Sequence, residues 1–404
     1  MIVKRLAWLL LLGLSACSTT EEQVVELLEQ MAAHPIDSPG WQDAVDQLAA
    51  IGRPAARQLV ARLNPDLYTG EDYREFRDEH EKLRTGCALA LGRIKPRGAA
   101  GALQSRISDA YTDSERIACL WSMGEIGYSQ AALDAAKAQL EDQDPAIRIH
   151  AAIAMLKMDD DLGAGEIEGA LASADDTLAQ TAMQGLEEAG YFGVPLLMTL
   201  GARAGPNQSA LGAVVAKVKD KLVAQLKAEE PGHRQRAALA LGQIGDPSTA
   251  PALANLLEDA SNQVRFSAAA ALAEMGQPQG TDFLFEALRN TDSILRANAV
   301  KFLIDVQAQS GSVEDQLVAA LDATDPLARA GAAQVLGQAA VASAVTALIT
   351  ATADEVAEVR ANAAMALGRI GSAQGRERLE QLLDDRDATV SYYAEWALRQ
   401  LGSG

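Results

Sequence analysis

One stretch of the chain, VAEVRANAAMALGRIG at 356–371, is rewritten from end to end and sets what the rest can fold into. It returns as HRQRAALALGQIGDPSTAPAL (233–253), NQVRFSAAAALAEMG (262–276) and SERIACLWSMGEIG (114–127), with looser copies at 145–158 and 326–339. Aligned on the arginine or its equivalent, the copies fall at Arg84, Arg116, Arg148, Ala179, Arg234, Arg265, Arg296, Arg329, Arg360 and Ser391. Their steps are 32, 32, 31, 55, 31, 31, 33, 31 and 31 residues. So steady a period defines a solenoid, in which each unit buries its apolar face only against its neighbours.

Placed on a helix with the arginine at offset zero, offsets 3, 4, 7, 10 and 11 share one arc. In one copy these are Ala363, Ala364, Leu367, Ile370 and Gly371. Offsets 2, 5 and 9 face the other way. Each copy is therefore an amphipathic helix whose alanines allow close packing. Gly127, Gly245, Gly276 and Gly371 stand where a left-handed residue stops the helix. A second apolar helix follows, as in PALANLLED (251–259), TDFLFEALRN (281–290) and ERLEQLLDD (377–385). Asp144-Pro145 and Asp325-Pro326 then open the next helix with a capping carboxylate and a proline at its first position.

This pattern, D-P-x-x-R-x-x-A-A-x-x-L-G-x-I-G, resembles the HEAT repeat in the short form of bilin-lyase-type proteins. The resemblance implies an all-α, α-α superhelix of about 11–12 helical-pair repeats. It leaves function open, since such solenoids serve scaffolds, adaptors and a few enzymes.

Residues 1–16 read as a secretory signal: Lys4 and Arg5, then the apolar run LAWLLLLGL at 6–14, too short for a permanent span. The run ends in Leu14-Ser15-Ala16-Cys17, which resembles the bacterial lipobox. That resemblance implies cleavage before Cys17 and its acylation with diacylglycerol, anchoring the protein to a membrane; an ordinary signal with a chance cysteine is the alternative. Ser18 implies the outer membrane, facing the periplasm, in a Gram-negative cell. The formal charge is −20, and −22 once Lys4 and Arg5 leave, since 33 basic residues then face 55 acidic ones. So acidic a surface, without a basic patch, disfavours nucleic acid and anionic headgroups as partners.

From residue 21 the solenoid is expected to run to 404, opening with EEQVVELLEQMAA (21–33) as a capping helix. A weak first unit then carries Trp41 at offset zero, followed by a charged insertion at 64–82. The insertion holds Tyr68, Tyr73 and Phe76 in a chain whose aromatic content is 4%. It is either a binding loop or a helical extension with its aromatics packed inward. The 55-residue step hides a shortened unit near 205–228, and its glycines and prolines make 190–232 the candidate bend. The last helix, 388–402, caps the other end with Tyr392, Tyr393 or Trp396.

Chemistry finds little foothold. Metal-dependent hydroxylases of this repeat type hold iron with paired His-Glu doublets, and only His80-Glu81 matches. Asp159-Asp160-Asp161 and Asp384-Asp385 read as helix caps before they read as calcium ligands. Cys87 and Cys119 occupy alanine slots and read as buried small hydrophobes. No catalytic residue, metal or cofactor is assigned. The arginine column reads as structural, each arginine pairing with the carboxylate four residues earlier: Asp144–Arg148, Glu230–Arg234, Asp292–Arg296, Asp325–Arg329.

The expected function is an envelope-anchored scaffold or adaptor for protein partners; an enzyme or enzyme-assisting subunit resembling the bilin lyases is the alternative. Partners are expected on the outward offsets, with Trp121, His150, Arg236, Lys301, Arg369, Tyr393 and Trp396 as candidates. Trp121 is either a binding hot spot or a packing residue.

Overall fold

A computed structural model describes residues 19–64, 77–108, 112–203 and 207–402. Cys17 and the aromatic set Tyr68, Tyr73 and Phe76 lie outside the described residues. Among those described, every regular element is helical, as the repeat dictates. Ten helical hairpins follow one another, from Pro39–Ile51 with Arg53–Arg62 to Ala357–Ile370 with Arg376–Gln381. Single helices lie at Thr19–Ala33, Gln208–Gln225 and Ala388–Gly402, so the shortened unit is one helix of 18 residues. The chain divides into two compact units, Met1–Val215 and Ala216–Gly404.

The helix-stop glycines behave as read. Gly127, Gly245, Gly276 and Gly371 have φ of 94°, 69°, 68° and 74°, a region that any Cβ strains. Asp144 and Asp325 each accept from the backbone N–H two residues on, at 2.9 and 2.8 Å. Inside the units, alanine and leucine slots close on one another: Ala363, Ala364 and Leu367 are fully buried. Cys87 and Cys119 are buried free thiols; burial pushes Cys87 up to about 12 and Cys119 up as well.

Close stacking depends on a position that the outward and inward offsets leave aside. Offset 8 is glycine at Gly92, Gly124, Gly242, Gly337 and Gly368. A Cβ at each would lie 2.5–3.1 Å from the backbone of the next repeat's offset 6, which is Ser122, Ala154, Ala271, Ala366 or Ala397. Glycine in mid-helix costs about 1 kcal/mol against alanine. Here it removes a collision with main chain, so the cost returns as helix-on-helix contact.

The arginine column holds the repeats from outside, by a route other than the expected one. The carboxylate four residues earlier is not the partner. At Asp144, Asp292 and Asp325 that carboxylate is turned to the helix N-terminus as a cap. Arg234, Arg329 and Arg360 reach instead to a carboxylate 25 residues later, at the end of the following helix. Arg234 holds Asp259 through Nε at 2.7 Å and Nη2 at 2.9 Å. Arg329 holds Asp354 at 2.7 and 3.0 Å, and Arg360 holds Asp385 at 2.8 Å through both nitrogens. The remaining nitrogen, Nη1, donates to the carbonyls five and six residues back, as Arg360 does to Glu355 and Asp354 at 3.1 and 2.8 Å. Such two-pronged, charge-assisted pairs are the stronger class of hydrogen bond. Asp354 thus receives Arg329 on its side chain and Arg360 on its carbonyl, and caps Val356 at 2.8 Å. One aspartate ties two repeats.

Unit Met1–Val215 uses other partners. Glu115, fully buried, takes Arg84 at 2.8 Å and Arg106 at 2.7 Å, both arginines being buried too. Arg116 takes Asp142 at 2.6 Å, and Arg148 takes Glu166 at 2.8 Å. Of the charged insertion, residues 77–82 are the first turns of helix Arg77–Ile94.

Candidate functional site

The outward columns place the candidate residues on rigid helices, and the structure sorts them by exposure. Arg236, Lys301 and Arg369 are exposed; Trp121, His150, Tyr393 and Trp396 are half-buried. Lys301 Nζ lies 5.4 Å from the centre of the Phe302 ring. Tyr393 meets Tyr392 edge-on at 5.3 Å, and packs with Trp396 against the terminal core.

Trp121 and Trp396 both occupy offset 5 and repeat one device. A Cβ at Gly92 would lie 2.6 Å from Trp121 Cζ3, and one at Gly368 would lie 2.9 Å from Trp396 Cζ3. Each indole therefore lies over the glycine gap of the preceding repeat. The pairing of tryptophan at offset 5 with glycine 29 or 28 residues earlier was legible in the sequence.

Around Trp121 the offset-9 column of unit Met1–Val215 assembles a charge ladder. Lys157, only 5% exposed, donates to Glu125 at 2.8 Å and to Glu188 at 3.1 Å. It also sits 5.5 Å from the centre of the Trp121 ring, and Trp121 Nε1 donates to Glu188 at 3.0 Å. Lys95 takes the other oxygen of Glu125 at 2.8 Å. Burial pushes the Glu188 and Glu125 carboxyls up, but the ammonium of Lys157 and the hydrogen bonds outweigh it, so both are held below their ordinary value. His150 joins the same group: burial lowers its pKa, Glu188 acts to raise it and Lys157 to lower it. The structure thus brings Trp121 and His150 into one charged group with Glu125 and Lys157 of the outward offset-9 column and with Glu188, the member that the sequence did not single out.

In unit Ala216–Gly404 the same column runs Glu274 then Asp305, two carboxylates in succession. Burial, and next the charge of Asp305, push Glu274 up to about 7. Asp159-Asp160-Asp161 line a cavity of about 480 Å³ with Glu168, Leu156 and Phe192. Asp160 caps Leu162 there at 3.0 Å, the turn role expected of it. Asp385 serves as the Arg360 partner and as the cap of Asp387 at 2.9 Å.

Stacked hairpins joined by arginine–aspartate ties define an all-α repeat solenoid. The profile of HEAT repeats matches residues 220–304 and 314–399, in keeping with a HEAT-like solenoid. Among solved structures, human deoxyhypusine hydroxylase is 20% identical, over 78% of this chain and 99% of its own, at a TM-score of 0.26. An engineered protein is 22% identical over 95% and 99% of the two chains, at a TM-score of 0.30. A mutant of Kap121p is 12% identical at a TM-score of 0.40, this chain covering 44% of it. Likenesses this distant carry no inference about function. No curated protein matches the sequence.

Proposed function

We propose that this chain is a lipid-anchored scaffold of a bacterial cell envelope, holding protein partners on its outward columns rather than catalysing a reaction. The observation that best supports this reading is the assembly of Trp121, Lys157, Glu125 and Glu188, four side chains drawn from three successive repeats. It fixes a half-exposed aromatic and charged surface before any partner arrives, and a surface already ordered gives up little entropy on binding. Aromatic anchors within a polar rim are also what protein interfaces favour. Cys17 supplies the anchor, and no helix among the described residues is long and apolar enough to cross a membrane.

Both halves of the reading can be tested in intact cells. Cys17→Ala is expected to abolish labelling by radioactive palmitate and to accumulate precursor; unchanged labelling removes the anchor. Photo-crosslinking side chains at Arg236, Lys301 and Arg369 are expected to trap discrete partner adducts. The same groups at Thr346 and Glu377, exposed on second helices, serve as the comparison. Adducts from the second helices alone would move the interface off this face.

A further inference from the structure

The ties of unit Ala216–Gly404 lapse at two arginines, Arg265 and Arg296; among the described residues Arg296 meets only the carbonyls of Asn290 and Thr291, whereas Arg265 lines a cavity. Counting 25 residues from Arg265 reaches Asn290, where Arg234, Arg329 and Arg360 each find an aspartate. Asn290 keeps the other two duties of that aspartate. Its Oδ1 accepts from Asp292 N–H at 2.9 Å, and its carbonyl accepts from Arg296 Nη1 at 2.7 Å. Only the carboxylate for Arg265 is missing. With Oδ1 engaged in the cap, the amide presents Nδ2, a donor, where the other repeats present an acceptor. Arg265 places Nη1 on the Asp259 carbonyl at 2.7 Å and Nη2 on Asn262 Oδ1, and among the described residues its Nε meets no carboxylate.

Arg265 and Asn290 both line a cavity of about 680 Å³, within the range of ligand-binding pockets. Phe266, Phe283, Ala287 and Leu295 give it an apolar wall, in which Phe283 stands edge-on to Phe266 at 5.4 Å. Asp282 and Glu286 also line it, and Glu286 is met by Arg289 at 3.4 Å. Arg265 Nε and Asn290 Nδ2, two donors without an acceptor among the described residues, stand beside an apolar wall and suit a carboxylate on an apolar chain. Arg289, which also lines the cavity, offsets the charge of Asp282 or Glu286. The repeats themselves show the geometry such a group takes, 2.7–2.8 Å from Nε. Two of the three aspartates that fill the other ties follow paired leucines, in Leu256-Leu257-Glu258-Asp259 and Leu382-Leu383-Asp384-Asp385.

We propose that the cavity between Arg265 and Asn290 binds the side-chain carboxylate of an aspartate or glutamate that neighbours apolar residues in a partner polypeptide. The polypeptide source rests on the scaffold reading; the carboxylate rests on the missing tie alone. The site is a repeat whose internal acid has been removed, leaving the place for an external one.

The decisive variant is Asn290→Asp, which returns the acid to the chain and leaves the cap in place. It is expected to raise the melting temperature by about 2–5 °C, as a charge-assisted pair does in a unit this size. The probe is acetyl-Leu-Leu-Ala-Asp-amide, with acetyl-Leu-Leu-Ala-Asn-amide as control, titrated into the full chain while the Arg265 Nε–H resonance is followed by NMR. The aspartyl peptide should shift that resonance saturably, the asparaginyl peptide should not, and Asn290→Asp should abolish the response. No shift with either peptide, equal shifts with both, or an unchanged response in Asn290→Asp would each overturn the proposal. Crosslinked adducts at Lys301 and Arg369 that persist in Asn290→Asp, together with a silent Arg265, would remove this site and leave the scaffold standing.

Discussion

The two units solve one problem with different chemistry. In Ala216–Gly404 Arg234, Arg329 and Arg360 repeat a single tie to an aspartate 25 residues on; at Arg265 and Arg296 it lapses, and Asn290, in the place of the first missing aspartate, keeps that residue's cap. In Met1–Val215 each arginine finds its own partner: Glu115, Asp142 or Glu166, at separations of 31, 26 and 18 residues. The two segments that match the HEAT profile, 220–304 and 314–399, lie in the regular unit. The repeat step is as steady in the other unit, and the same mechanical role is filled there with partners at varied separations. The offset-9 column differs in the same way. Lys157 between Glu125 and Glu188 alternates in sign, whereas Glu274 and Asp305 repeat theirs.

The largest consequence is expected at Glu115, where one buried carboxylate serves two buried guanidiniums. Glu115→Ala leaves both short of a carboxylate, at a cost of about 3–5 kcal/mol. Calorimetry should show the melting transition of the first unit fall by on the order of 10 °C, with that of the second unchanged. A fall shared equally by both would mean that the units do not melt separately.

Trp121→Ala comes next, at about 2 kcal/mol, because the half-buried indole fills the gap over Gly92 and holds Glu188. Thermal melts check it. An unchanged melt together with lost partner capture would make Trp121 a recognition residue alone.

Smaller still, and opposite in sign, is Glu274→Gln. A carboxyl raised to about 7 in the folded state binds its proton there more tightly than in the unfolded chain. Stability is therefore lost as pH rises from about 4.5 to about 7, and the loss is complete above that. The amide cannot ionise. Partial exposure reduces the effect to on the order of 1 kcal/mol. Denaturant titration should find the variant more stable than the parent at pH 8 and equal to it at pH 4. A difference independent of pH would exclude Glu274 as its source.

The sequence reading located the helices, the stop glycines and the aspartate caps because each depends on neighbours within one turn. It misplaced the arginine partners because an aspartate four residues before an arginine satisfies two rules at once, helix capping and helical pairing. The cap wins, as the carboxylate of Asp325 is spent on Leu327 N–H and Arg329 turns to Asp354. The glycines at offset 8 stand in the repeat pattern, but the sequence assigns them no role because glycine inside a helix reads as weakness. Their use shows only when the next repeat is laid alongside. Glu188, which completes the Trp121 group, comes from the repeat anchored on Ala179, the copy with least resemblance to the rest.

The central claim is that the arginine column holds the repeats together and leaves the outward columns to partners. Melting Arg360→Ala beside Arg296→Ala tests it most directly, with crosslinking at Lys301 and Arg369 measured below the transition. Arg360 ties Asp385, itself 10% exposed, whereas among the described residues Arg296 donates only to the carbonyls of Asn290 and Thr291. Arg360→Ala is predicted to cost about 2–3 kcal/mol and Arg296→Ala about 1 kcal/mol, with crosslinking retained in both. Melts that match the parent, with crosslinking lost, would contradict the claim and make the column a recognition stripe.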